Sequence, residues 1–202
     1  MYIPRNFLID NSKEIYDFVE QNAFGQLISS VNGRIFSTHL PVLLSEDRKY
    51  LLAHIARVNP QHKEIEDQEV LVSLEGPHGY ISPSWYLNPG VPTWNYQAVH
   101  IYGQARVFDD RERLMNVVES LTTKYEKTFP EPWSPAYNEA MLNAIVGIEL
   151  EITEVQCKFK LGQNRRKEDI ESVVTKLREA GLSDLAEATE KHGLLYESSE
   201  LS

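Results

Sequence analysis

A single cysteine, Cys157, is all the thiol chemistry in 202 residues, so an internal disulfide framework and a paired-Cys metal site are both excluded. The six histidines fall in neither an H-x-H nor an H-E-x-x-H spacing, which leaves a metal centre without a motif. No G-x-S-x-G elbow, G-x-G-x-x-G turn or G-x-x-x-x-G-K-[ST] loop occurs, and hydrolase, Rossmann and nucleotide-triphosphate readings lose their usual signatures. Long apolar runs are missing too, so neither a spanning helix nor a signal peptide is expected; the expected compartment is the cytoplasm, with no membrane contact. Positive charge is scarce. Twenty Lys and Arg face thirty Asp and Glu, a net charge of -10 that argues against a general nucleic-acid surface.

With 42% hydrophobic residues the chain can still bury one sizeable core. Asp10-Asn-Ser12 is a good helix cap, and Ile15, Phe18 and Val19 follow at helical spacing. Residues 24–31 and 34–44 read as strands around Asn32-Gly33, the strongest short hairpin signal. Further strands are expected over 49–57, 70–74, 97–108 and 146–161, with a helical turn in 61–67 and Gly103 as a bulge or close-approach point. Asp109-Asp110 opens a helix, 134–145 reads as another, and 166–180 and 183–192 form a helix pair around Gly181. Many short antiparallel strands with few helices fit a small β-barrel, whose closure removes exposed edges.

Residues 76–103 carry an unusual inventory. Tyr80, Trp85, Tyr86, Trp94 and Tyr96 are interleaved with Ser82, Ser84, Asn95 and His100, a mixture suited to a flat, partly polar ligand. Pro77, Pro83, Pro89 and Pro92 stiffen the segment before anything binds. A ligand wall and an aromatic plug at a barrel end or dimer interface are both consistent with that composition.

The sequence GPHGYISPSWY, followed by VPTWNYQAVHIYG, resembles the PaiB family of FMN-binding negative transcriptional regulators. His54-Ile-Ala-Arg57-Val-Asn59-Pro60 is similar to that family's H-x-A-R-x-N-P stretch, and Lys160-Leu-Gly-Gln163-Asn164-Arg165 to its K-L-S-Q-N-R stretch. Gly162 stands where the family usually has Ser, and any contact made by that hydroxyl is absent here. The resemblance implies a mainly β fold with flanking helices, a split β-barrel of the FMN-binding type over residues 1–165, and a helical appendage over 166–202. It also implies a homodimer and a part in controlling sporulation and protease synthesis.

Chemistry assigns roles to the matched residues. A flavin phosphate needs a fixed cation and donors, for which Arg57 beside the rigid Asn59-Pro60 corner is the first choice, the alternative being a surface ion pair. Thr38 and His39 on the hairpin strand, and His54, are further candidates. Trp85, Tyr86 and Trp94 can stack on or edge an isoalloxazine, while Asn95 and His100 can bond its pyrimidine side. Lys160, Gln163 and Asn164 stand just past the last strand, where the resemblance places a site shared across a dimer. Three functional classes remain open: a flavin-dependent regulator, a small flavin oxidoreductase, and a haem-binding or haem-degrading barrel with His39, His54 or His100 as axial ligand. The C-terminal helix pair carries slightly more acid than base, so direct DNA contact is not supported by charge and a protein partner is the alternative.

Overall fold

A computed structural model describes residues 1–194. Its strands are β1 (Phe24–Val31), β2 (Arg34–Pro41), β3 (Leu43–Leu44), β4 (Tyr50–Ala56), β5 (Glu69–Ile81), β6 (Thr93–Phe108) and β7 (Ile145–Lys160). They join as one antiparallel sheet in the order β2-β1-β5-β6-β7-β4-β3. The helices are α1 (Ser12–Gln21), α2 (Arg111–Glu126), α3 (Glu139–Asn143), α4 (Lys167–Glu179) and α5 (Ser183–Gly193). Two compact units form among the described residues: Met1–Ile15 with Glu75–Val99 and residues 157–194, and Tyr16–Leu74 with His100–Gln156.

In the second unit, β1 alternates buried and half-buried residues after its exposed first position, as a strand covered on one face should. It pairs with β2 through Val31↔Arg34, and the turn between them holds Asn32 and Gly33 at φ 51° and 73°. Two successive positive φ values are what a tight hairpin of matching twist requires, which is why Asn-Gly is there. Leu51, Ala53 and Ile55 of β4 point into one core with Val146, Ile148 and Leu150 of β7. On the opposite face of β4, Leu52 joins Leu43, Ile145 and Phe108 beneath Leu114, Val117 and Leu121 of α2. Each such fully buried aliphatic side chain contributes roughly 1.5–3 kcal/mol, so the apolar stripe of α2 holds it on the sheet. Gly103 is the expected close approach: a β-carbon there would meet the Glu151 carbonyl at 2.1 Å.

In the first unit, Phe159, Leu161, Ile170, Val173, Val174, Leu177 and Leu185 are buried. α4 ends in a glycine cap, with Gly181 at φ 76°, Gly181 N–H bonded to Arg178 O and Leu182 N–H to Leu177 O.

Four sequence expectations change. The 70–74 strand runs on to Ile81, and the 97–108 strand begins at Thr93, so the supposed loop shrinks to residues 82–92. Gly79 lies under Leu182 and Leu185, where a β-carbon would come within 2.8 Å of Leu185, so it is a packing glycine within a strand. The expected strand 34–44 is two strands, interrupted at Val42. The expected helix 134–145 is only Glu139–Asn143, starting at Asn138, whose side chain accepts the Met141 N–H at 3.0 Å.

Candidate functional site

The residues read as a ligand site from sequence fall into several settings. In the second unit, Asn59 is the cap of a 3-10 turn over Pro60–Lys63, and its side chain accepts the Gln61 N–H at 3.0 Å. Asn59 also donates to the Thr38 hydroxyl at 2.9 Å, and that hydroxyl donates to Gln61 Oε1 at 2.7 Å. Gln61 is fully buried and bonds Leu27 O and Ser29 Oγ. His62 Nδ1 donates to Asn59 O at 2.6 Å. Thr38 and Asn59 are thus brought together, and their polar atoms hold the corner closed.

Arg57 lies at the end of β4, where its guanidinium forms a bidentate pair with Asp109 at 3.0 and 2.5 Å. Its remaining donors reach Asn143 O at 2.7 Å and Ile145 O at 2.9 Å. The pairing raises the Arg57 pKa and holds the Asp109 carboxyl below its ordinary value, although both groups are solvent-exposed. Arg57 is therefore a clasp joining β4, the end of β6 and the start of β7, with four of its five N–H donors committed.

The three histidines behave differently. His39 is exposed and stacks on Phe24 at 6.3 Å, and His100 meets Tyr102 edge to face. His54 shares the face of β4 that carries Leu52, opposite Gly147. Among the described residues its buried Nδ1 has no hydrogen-bond partner, and burial depresses its pKa.

In the first unit, the 82–92 loop is pinned to α4. Asp169, buried, accepts the backbone N–H groups of Leu87 and Asn88 at 2.8 and 2.9 Å and the Asn88 side chain at 3.3 Å. Burial pushes its pKa up, but the donors of Asn88 and Leu87 and the charge of Arg165 outweigh it, and the net shift is downward. Trp85 O accepts the Ser172 hydroxyl at 2.7 Å, and Arg165 covers the Tyr86 ring at 4.4 Å. Asn95 faces inward to Thr189 of α5, and Gln163 clasps Leu161 N and Phe159 O at the end of β7. Asn164 is exposed. Cys157 is buried and its thiol is pushed up to about 12, by desolvation first and by Glu14 second, so it is a packed, inert cysteine.

The other face of the same strands is open and aromatic. Trp94 and Tyr80, 54% and 45% exposed, meet edge to face at 6.2 Å. Lys160 Nζ donates to the Thr93 hydroxyl at 2.5 Å and to Trp94 O at 2.6 Å. Lys158, two positions back on β7, is buried, with its Nζ 5.2 Å from the Tyr96 ring and bonded to Tyr2 O at 3.1 Å. Sequence reasoning singled out Trp94 and Lys160 but missed Lys158, whose only signal is the alternation Lys-x-Lys within a strand. Asp169 had no signal at all, because its partners lie about eighty residues away.

A seven-stranded antiparallel sheet with flanking helices is the fold of the split β-barrel proteins. The chain belongs to the family described as "Putative FMN-binding domain", whose model matches residues 1–154, and FMN is the cofactor of that family. It is 40% identical over 186 residues to the Bacillus subtilis "Protease synthase and sporulation protein PAI 2", covering 88% of this chain and 89% of that one. An uncharacterized protein of Saccharomyces cerevisiae is 31% identical over 161 residues, covering 65% of this chain and 94% of its own length. Among solved structures, the flavocytochrome Anf3 of Azotobacter vinelandii superposes with a TM-score of 0.65 at 15% identity, covering 83% and 77% of the two chains. An FAD- and haem-binding protein of Mycobacterium smegmatis gives 0.60 at 15% identity, covering 83% and 78%. Among the described residues no helix is long and apolar enough to cross a membrane.

Proposed function

We propose that this chain is an FMN-binding control protein that lowers expression of protease and sporulation functions, acting as a homodimer through a protein partner. The observation that carries this reading is the 40% identity to PAI 2, which extends over nearly nine-tenths of both chains. Bound FMN supplies one- and two-electron chemistry. The chain's own part is to hold the flavin against exposed aromatic surface, a reading supported by the exposure and edge-to-face contact of Trp94 and Tyr80.

Charge supports a protein partner over DNA. On the C-terminal helices, Lys167, Lys176, Arg178 and Lys191 are each paired with a carboxylate, of Glu171, Glu179, Glu190 and Glu14 respectively. Cations neutralised in this way have little left for a phosphate backbone.

The test is complementation. Expressed in Bacillus subtilis lacking PAI 2, this chain should return extracellular protease output to the parental level. Unchanged output despite stable expression refutes the regulatory reading, and NADH or NADPH oxidation with added FMN would then favour the oxidoreductase.

A further inference from the structure

Two lysines lie next to each other on β7 with no carboxylate paired to either among the described residues. Lys158 is 8% exposed, and its Nζ meets only the Tyr2 carbonyl and the faces of Tyr96 and Tyr2. Lys160 is half-buried, and both of its bonds go to neutral oxygens of Thr93 and Trp94. An ammonium has three protons, so Lys160 keeps one donor in hand and Lys158 two. Burying a cation without a counter-charge is costly, and two close together compound the cost. Burial first, then the charges of Lys158 and Arg165, depress the Lys160 pKa. An anion placed at Lys160 removes that penalty.

The surroundings select the kind of anion. The carbonyl of Trp94 and the hydroxyl of Thr93 orient the Lys160 ammonium, and the ring of that same tryptophan is exposed, with Tyr80 against its edge. A ligand with an anionic group and a flat conjugated ring can use both features at once. We infer that Lys160, backed by Lys158, seats the phosphate of FMN, with Trp94 and Tyr80 forming the wall for the rest of the molecule. The inference rests on the FMN reading and locates it. It also removes Arg57 from phosphate binding, since that guanidinium is held by Asp109 and two carbonyls.

The experiment compares FMN with riboflavin, which lacks the phosphate, by calorimetric titration of wild type, Lys160→Gln, Lys160→Arg, Lys158→Gln and Arg57→Ala. Wild type should favour FMN over riboflavin by about tenfold or more, the scale of a charge-assisted bond. Lys160→Gln should abolish that preference, Lys160→Arg should retain most of it, and Lys158→Gln should reduce it. Arg57→Ala should leave it intact. Inorganic phosphate should compete with FMN for wild type but not for Lys160→Gln. If Lys160→Gln fails to fold, Lys158→Gln and phosphate competition with wild type decide the matter. A full FMN preference in a folded lysine-to-glutamine variant, or its loss in Arg57→Ala, overturns the assignment while leaving FMN binding standing. A wild type that binds neither flavin instead overturns the FMN reading and the phosphate seat with it.

Discussion

His54 and Gly162 show how a single position sets a property. Burial depresses the His54 pKa from its ordinary 6.5, so below about that pH the unfolded chain takes up a proton more readily than the folded one. Its contribution to stability is therefore complete above about pH 6.5 and is lost as pH falls toward the folded value. His54→Leu removes this loss, so its melting temperature should drop less than that of wild type between about pH 7.5 and about pH 5.5 in scanning calorimetry. His192, also depressed by burial against the opposing pull of Glu14, remains in both proteins, so the difference isolates His54. Equal drops would show that His54 does not carry the effect. Gly162 has φ 89°, a conformation that strains any side chain even though space is open around it. Gly162→Ser should destabilise the fold by about 1–2 kcal/mol in urea unfolding, and an unchanged midpoint would mean that the turn relaxes.

At the scale of elements, the decisive connection is between the 82–92 loop and α4. One carboxylate, Asp169, takes three donors from Leu87 and Asn88, and Ser172 holds Trp85 one turn further along. Asp169→Ala should raise the exchange rate of the Leu87 and Asn88 amides by about tenfold or more in hydrogen-exchange measurements, leaving β7 amides protected. If all of these amides remain protected, the prolines alone hold the loop. Pro83, Pro89 and the aromatic residues announced a stiff segment, but the helix that stiffens it could not be read from spacing. The same limit hid the Arg57 clasp. A cation at the end of a strand is visible in sequence, whereas its carboxylate partner fifty-two residues away is brought to it only by the sheet.

For the molecule as a whole, the net charge of -10 governs what can approach it. Phosphate backbones are repelled unless cations cluster, and the cations of α4 and α5 are largely paired. No mobility shift is expected with genomic fragments at low salt. A salt-sensitive shift would instead mark direct DNA contact and a basic surface formed on assembly.

Local rules decided much of this protein before any folding is considered. Asn32-Gly33 admits the backbone of a tight hairpin, alternating apolar residues commit β1 and β4 to a covered sheet, and Gly181 ends α4, because each depends on neighbours in the chain. The family resemblance was legible for the same reason, being written in contiguous stretches. The partners of the site residues were decided by tertiary structure alone. Alternation along β6 turns Asn95 inward to α5 and leaves Trp94 outward beside Lys160, while the sheet delivers Arg57 to Asp109. A side chain's type is local, but whether its charge meets a carboxylate, a ring or open solvent depends on which distant strand lies beside it.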